Sequence, residues 1–287
     1  MRYNNCMQLP RYVELEKAVG QTPLQCMEAW RAQAGVEANI PLTYAGRLDP
    51  MASGKLLILI GEECKNKDQY LALDKTYEFS VLFGIGSDTH DVLGRLHTSN
   101  PSTRQDLVLG KADAENLLVQ LKEICTSLTG DIELPYPHFS SKTVQGKPLH
   151  MWTLEGRLGE IEIPTRASTI YSLTIDRIET RTRQDLALAA RAKIDTIPEV
   201  TADSKSLGND FRRVDVRQDW EQIKNNCWTS DVQQLLPLPD EYIIAHFTCS
   251  ASSGTYMRTL AKLIGERLDP AVPSLAWSIH RTEIQNS

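Results

Sequence analysis

Two runs of strict alternation constrain this chain more than any other feature. Tyr77, Phe79, Val81 and Phe83 alternate with Glu78, Ser80 and Leu82, and far downstream Ile243, Ala245, Phe247 and Cys249 repeat the pattern. A period of two places one set of side chains on one face of a pleated strand, so each run is expected to be a half-buried strand. Tyr171, Leu173 and Ile175 alternate with Ser172, Thr174 and Asp176 in the same way. Tyr12 to Glu16 reads as a short strand and Lys55 to Gly61 as a buried one. Between these lie helical signals. Thr22 as N-cap and Pro23 at the first helical position open a helix that Gly35 stops. Leu117, Leu118, Leu121, Ile124 and Leu128 fall at helical spacing over Asp113 to Leu128, with Gly130 as the stop. Met257, Leu260, Ala261, Ile264 and Leu268 define another helix after Gly254. Strands and helices are mixed without strict alternation, which predicts an α+β fold with a mixed sheet.

At 287 residues, 41% apolar and 24% charged, the chain can bury a substantial core. The longest apolar run, Leu56 to Ile60, is far short of the roughly 20 residues that span a bilayer, and Met1 to Pro10 has no signal-peptide core. A soluble, cytoplasmic protein is therefore expected, with no membrane partner. The cysteines Cys6, Cys26, Cys64, Cys125, Cys227 and Cys249 make no Cys-x-x-Cys pair, so neither a zinc site nor a disulfide scaffold is expected. A net charge of −6 argues against a nucleic-acid partner, although phosphate binding depends on local Lys and Arg and not on the sum. Arg183 to Asp240 is polar and poor in periodicity. It reads as an insertion or variable surface segment, with Asp203 to Asp210 as a flexible loop. No interface is apparent, and a monomer is the default.

The segment from Ile40 to Gly54 is turn-rich, and within it Asp49 sits between apolar Leu48 and rigid Pro50. Such a loop, closed by Gly54 before a buried strand, can hold a carboxylate in fixed geometry beside a sheet. A plain Asp-Pro turn is the other reading of this fragment. A P-loop is excluded: Asp49 occupies the first glycine position, Leu56 replaces Ser or Thr, and a strand follows instead of a helix.

Gly46-x-Leu48-Asp49-Pro50-x-Ala52-x-Gly54 resembles the active-site motif of the TruB family of tRNA pseudouridine synthases. Three further blocks resemble that family in its order. Lys75-Thr76-Tyr77 leads to Gly86-Ser87-Asp88-Thr89-His90-Asp91-Val92-Leu93-Gly94. Leu134-Pro135-Tyr136-Pro137-His138-Phe139-Ser140-Ser141-Lys142 precedes Gly146. Ser253-Gly254-Thr255-Tyr256-Met257-Arg258-Thr259-Leu260 opens the last helix. The resemblance covers roughly residues 12–180 and 241–283. It implies one catalytic domain over 1–287 with a divergent insertion at about 183–240, and the small C-terminal RNA-binding (PUA) domain that many relatives carry is expected to be absent. It also implies a mixed, largely antiparallel central sheet flanked by helices and long loops.

By this resemblance Asp49 is the catalytic carboxylate, Arg258 its compensating cation and Tyr77 the ring that stacks on the target base. Pseudouridylation breaks the N-glycosidic bond and rejoins uracil to C1′ through carbon 5, which requires neither cofactor nor metal. Asp49 as nucleophile and Asp49 as base at the ribose are both open. Thr255 is expected to cap the helix that carries Arg258. Tyr256 and Ile279 are expected to border the pocket. Lys75, Lys142, Lys147 and Arg47 are candidate phosphate contacts. The implied partner is tRNA, at the T-loop uridine of position 55.

The sequence departs from the family pattern in three places. Tyr44 stands where the family has a base-displacing His, Arg47 replaces a small residue, and Lys17-Ala18-Val19-Gly20 lacks the proline of the opening Lys-Pro-x-Gly motif. Two rival readings remain. One is an RNA-binding or RNA-folding protein without catalysis, which would not need the carboxylate. The other is a metal-dependent hydrolase using Asp88, His90 and Asp91, a cluster that a polar turn explains more simply.

Overall fold

The structure, a computed structural model, describes residues 9–98, 114–197, 213–228 and 238–285. In chain order its main elements are β1 (Tyr12–Lys17), α1 (Pro23–Ala34), β2 (Leu42–Ala45), β3 (Ala52–Ile60), α2 (Lys67–Leu71), β4 (Lys75–Phe83), β5 (Ile85–Ser87), β6 (Leu96–Thr98), α3 (Ala114–Leu128) and β7 (Gly130–Pro135). There follow β8 (Thr143–Val144), β9 (Lys147–Pro148), α4 (Leu149–Leu154), β10 (Thr165–Thr182), α5 (Arg183–Asp195), α6 (Arg213–Lys224), β11 (Glu241–Ala251), α7 (Met257–Leu268) and β12 (Ser274–Ile284). One sheet runs β1-β3-β12-β4-β11-β10-β7, with β2 paired to the end of β3. Its pairs are antiparallel except β3 with β12, which gives the mixed, largely antiparallel α+β architecture that the resemblance implies.

Helix α1 starts as expected. Thr22 accepts from the Gln25 amide while the Gln25 side chain accepts from the Thr22 amide, and Gly35 closes the helix at φ 67°. Strand β4 departs from expectation. It lies between β12 and β11, and Ser80 and Leu82 are as fully buried as Val81. The alternation marks two cores, not one core and solvent. Tyr77, Phe79, Val81 and Phe83 join Ala245, Phe247 and Cys249 beneath α3 and α7, with Leu121, Leu260 and Ile264 at the contact. On the other face Leu82, Ile244, Leu275 and Trp277 meet α5 and α6 through Leu186, Ala190, Val216, Trp220 and Ile223.

That second core corrects the reading of Arg183 to Asp240 as a surface segment. The buried apolar stripe of α5 is Leu186, Ala187, Ala190 and Ile194, and exposed Leu188 and Ala192, set among charges, blur its period in the sequence. The base of the segment is locked by Arg183, whose buried guanidinium donates to the carbonyls of Pro239 (3.1 Å), Ile223 (3.0 Å) and Lys224 (2.8 Å). The stretch Asp203 to Asp210, and the Asp113 start given to the second helix, lie outside the described residues.

Other corrections are local. The turn-rich span from Ile40 to Gly54 contains β2, and β3 begins at Ala52, ahead of Lys55. In β10 a register shift between Ile170 and Ser172 turns Tyr171 out to solvent and buries Ile170 in its place. Strand β12 was not anticipated, because its mixture of His280, Arg281, Thr282 and Glu283 does not alternate cleanly. No helix among the described residues is long and apolar enough to cross a membrane.

If the insertion helices carry core, Trp220→Ala costs about 3–5 kcal/mol of unfolding free energy by the large-to-small rule. Chemical denaturation measures it; a loss below about 1 kcal/mol would return these helices to the surface.

Candidate active site

The loop joining β2 to β3 is pegged on both faces of the sheet. Leu48 enters the first core and Met51 the second, leaving Asp49 and Pro50 between them partly exposed. The Ala52 amide donates to the Asp49 carbonyl at 3.0 Å, which closes the turn, and the Gly20 amide donates to the Pro50 carbonyl at 2.8 Å. Gly20 is in turn set by Lys17, which is wholly buried and donates to the carbonyls of Ala18 (3.0 Å) and Gln21 (2.8 Å). Burial pushes the Lys17 ammonium down to about 8. The Lys17 to Gly20 motif therefore props the Asp49 loop without its proline.

Arg258 converges on Asp49 from the first turn of α7. Its Nε donates to Asp49 Oδ2 at 2.7 Å, Nη1 to the Thr89 carbonyl at 2.8 Å and Nη2 to the Phe139 carbonyl at 3.3 Å. The Arg258 side chain is 5% exposed and that of Asp49 39%, so the cation is sheathed and the carboxylate is open to the cavity. Contrary to the sequence expectation, Thr255 does not cap α7. Tyr256 is the N-cap residue, without a side-chain bond, and Thr255 Oγ1 donates to the Ser252 carbonyl at 2.8 Å. Direct bonds to three other segments fix the guanidinium instead.

The block from Gly86 to Gly94 supplies the back wall. Asp91 Oδ1 accepts from Thr89 Oγ1 (2.7 Å) and the Leu93 amide (3.0 Å), while Oδ2 stands 3.9 Å from Arg258 Nε. Burial pushes the Asp91 carboxyl up, and Arg258 opposes this. Burial also works against the Arg258 charge, but Asp49 and Asp91 outweigh it and hold the guanidinium above its ordinary value. His90 is pushed down to about 3, by burial first and then by Arg258, and is neutral. Asp91 is committed to its own turn, and no group of three metal-ligating side chains occurs among the described residues. Gly94 is required because a Cβ there would lie 2.5 Å from Thr89 Oγ1.

Tyr77 reaches the same cavity from the start of β4, and here the sequence reading missed a residue. Arg281, 3% exposed on β12, donates from Nε to the Tyr77 hydroxyl at 3.2 Å. Its Nη groups donate to the carbonyls of Gly46 (3.3 Å), Lys55 (3.2 Å) and Arg47 (2.9 Å). One guanidinium thus joins the ring to the Asp49 loop. The close approach of β3 and β12 depends on Gly54 at φ 105°, where a Cβ would lie 2.2 Å from the Arg281 carbonyl oxygen.

These groups line one cavity of about 830 Å³, together with Tyr44, Arg47, Lys75, Tyr256 and Ile279. Lys142 is outside it, with its ammonium 5.0 Å from the Tyr136 ring centre, and Tyr136 packs edge-on against Tyr256 at 5.7 Å. Lys75 lines the cavity but is 4% exposed, and its ammonium is spent on the carbonyls of Leu71 and Leu73. Burial lowers it to about 8. It braces the wall and is not presented as a phosphate contact. Lys147 is likewise engaged, with Glu155 at 2.7 Å and Trp152 beneath it. Arg47 is exposed and donates to Ser141 Oγ at 3.1 Å. Tyr44 packs against the cluster of Cys26, Met27 and Ile58, with the Lys67 ammonium 5.4 Å from its ring centre.

Two more cavity cations were missed, Lys67 and Arg166. Arg166 on β10 donates from Nη2 to the Ser253 carbonyl at 2.9 Å, while its buried Nε has no hydrogen-bond partner. Both sit outside the motif blocks, and only the folded chain brings them to the rim. Six Arg and Lys residues line the cavity against the two acids Asp49 and Asp91, so a chain of net charge −6 presents a locally positive site.

Two outcomes follow. Gly54→Ala forces β3 from β12 and lowers the melting temperature while disrupting the Arg281 bonds; an unchanged melting temperature would refute the close-approach argument. The Lys17 proton is bound less tightly in the folded state than in the unfolded chain. Stability therefore rises with pH from about 8 toward the ordinary lysine value, and the penalty is fully present below about 8. Lys17→Met is expected to flatten that rise in denaturation curves taken across this window.

Residues 39–196 match the family described as TruB family pseudouridylate synthase (N terminal domain). The tRNA pseudouridine synthase B of Caldicellulosiruptor saccharolyticus is 36% identical over 159 residues, 55% of this chain and 49% of that protein. The tRNA pseudouridine synthase 4 of Saccharomyces cerevisiae is 26% identical over 248 residues, 80% of this chain and 58% of that protein. The matches thus span about half of these relatives' own lengths. A solved Cbf5-Nop10-Gar1 complex aligns at a TM-score of 0.50 and 14% identity, over 95% of this chain and 48% of that one, which is a likeness of fold. The chain belongs to the TruB family of pseudouridylate synthases.

Proposed function

We propose that this chain isomerises uridine to pseudouridine in tRNA, at the T-loop uridine of position 55, with Asp49 as the essential carboxylate. The observation that carries this reading is the open Asp49 carboxylate, bonded at 2.7 Å to a guanidinium that is otherwise sheathed by protein. In the reaction the N1–C1′ bond breaks, the C5–C1′ bond forms, C5 loses a proton and N1 gains one. No electrons are exchanged with a second reactant. Asp49 either attacks C1′ or removes a ribose proton, and both routes need a carboxylate fixed beside the sugar. When RNA fills the cavity and water leaves, the Arg258 charge acts on Asp49 through a lower dielectric. Tyr77, oriented by Arg281, offers the stacking face for a uracil drawn out of its helix, an extraction that costs a few kcal/mol. Tyr256 and Ile279 offer apolar walls, and Tyr44 takes the place of the family's base-displacing His.

The positive lining of the cavity supports an RNA substrate on an acidic chain. Arg47, Lys67 and Arg166 keep exposure for phosphate although each bonds a protein oxygen (Ser141 Oγ, Thr43 Oγ1 and the Ser253 carbonyl), whereas Arg258, Arg281 and Lys75 are buried on protein carbonyls and Asp49. The relatives' names as tRNA pseudouridine synthases support tRNA as the RNA in question.

The test is pseudouridine formation in an unmodified tRNA transcript, mapped to the nucleotide, with metal-free wild type and Asp49→Asn in parallel. Wild type is expected to modify position 55, and Asp49→Asn to bind the RNA but lose roughly a thousandfold or more in rate. Binding by both proteins with modification by neither, in this transcript and in total cellular RNA, would leave the chain an RNA-binding protein without catalysis.

A further inference from the structure

We propose that the insertion between β10 and β11 is part of the catalytic apparatus, with Asp219 as a positioning residue for the Arg258–Asp49 pair; this rests on the isomerase reading above. Asp219 lies on α6, its side chain is 4% exposed, and nothing in the family motifs points to it. Its carboxylate accepts from Arg95 Nε (2.8 Å), Arg95 Nη2 (3.2 Å) and the Leu96 amide (3.0 Å). The next residue, Trp220, donates from Nε1 to the Val92 carbonyl at 3.2 Å. These bonds clamp the segment from Val92 to Leu96.

That segment closes the turn on which Arg258 depends. The Asp88 amide donates to the Arg95 carbonyl at 3.2 Å, and the Arg95 amide donates to Asp88 Oδ1 at 2.9 Å. Between them, the Thr89 carbonyl accepts from Arg258 Nη1 at 2.8 Å and the Asp91 carboxylate faces its Nε. The insertion also reaches the other side of the ion pair. Met51, two residues after Asp49, is buried in the core that α5 and α6 build. Gly20, whose amide holds the Pro50 carbonyl, lies so close to the end of α5 that a Cβ there would be 2.2 Å from Thr196 Oγ1. The loops flanking Arg258 are thus both braced by one segment, none of whose described residues lines the cavity. A shift of about 1 Å in either loop is enough to cost a large factor in rate, because reacting groups must be held near attack geometry.

The experiment compares wild type, Asp49→Asn, Asp219→Ala, the milder Asp219→Asn, and Ile223→Val, a core change on the same helix that leaves the Val92 to Leu96 clamp intact. Steady-state kinetics, RNA affinity and melting temperature are measured for each on the same tRNA transcript. Asp219→Ala is expected to lower kcat by about tenfold or more with KM and RNA affinity within twofold, and Ile223→Val to lose melting temperature without losing kcat. Should Asp219→Ala not fold, Asp219→Asn, which retains an acceptor for the Leu96 amide, is expected to give the same split at smaller size. Full kcat in the folded Asp219 variants, or an equal loss in Ile223→Val, overturns the positioning role while Asp49→Asn still vouches for the isomerase. A wild type that binds tRNA and makes no pseudouridine overturns the isomerase reading itself, and this inference with it.

Discussion

Everything in the site hangs on one buried guanidinium. Arg258 brings together four pieces of chain that are remote in sequence: the Asp49 loop, the Thr89 turn, the Phe139 segment and the start of α7. A buried cation without partners is prohibitively costly, so each of those segments must be in place for the arginine to be tolerated at all. Two of its three bonds go to backbone carbonyls, which no side-chain substitution can remove. Only the third goes to a side chain, and that side chain is the one open to the cavity. The arrangement commits the protein to presenting Asp49 in one place.

A second guanidinium repeats the logic. Arg281 spends its donors on three carbonyls around the Asp49 loop and on the Tyr77 hydroxyl, and its strand can approach β3 only where Gly54 leaves room. The parallel pairing of β12 with β3, the one such pair in the main sheet, sets Ile279 beside Ala52 and Arg281 beside Gly54. Topology and chemistry meet at this junction. The strand that completes the sheet also carries the residue that aligns ring and carboxylate.

Charge is distributed on two scales. The chain as a whole is acidic, at −6, yet the cavity is lined by cations, three of which are buried on protein groups and three of which keep exposure to solvent. The buried set builds the site and the exposed set is available to a polyanion. A sum over the sequence cannot separate the two, because a buried arginine on carbonyls and an exposed one at a rim count equally.

The sequence by itself determined the elements whose signals are local. The capped start of α1, the amphipathic stripe of α7 and the alternation in β4 and β11 are each written in adjacent residues, and so are the motif blocks that place Asp49, Tyr77 and Arg258 in one site. Tertiary structure alone decided the rest. It made β4 two-faced by covering Leu82 with helices from a stretch that reads as polar. It found β12 by the company that strand keeps, not by its composition, and it spent Lys75 and Lys147 on protein partners. Arg166, Lys67, Arg281 and Asp219 matter only through residues tens to hundreds of positions away. The physical reason is common to all of these. Periodicity and capping depend on neighbours along the chain, whereas burial, ion pairing and the use of a donor depend on which surfaces meet in space, and that is settled only when the sheet closes.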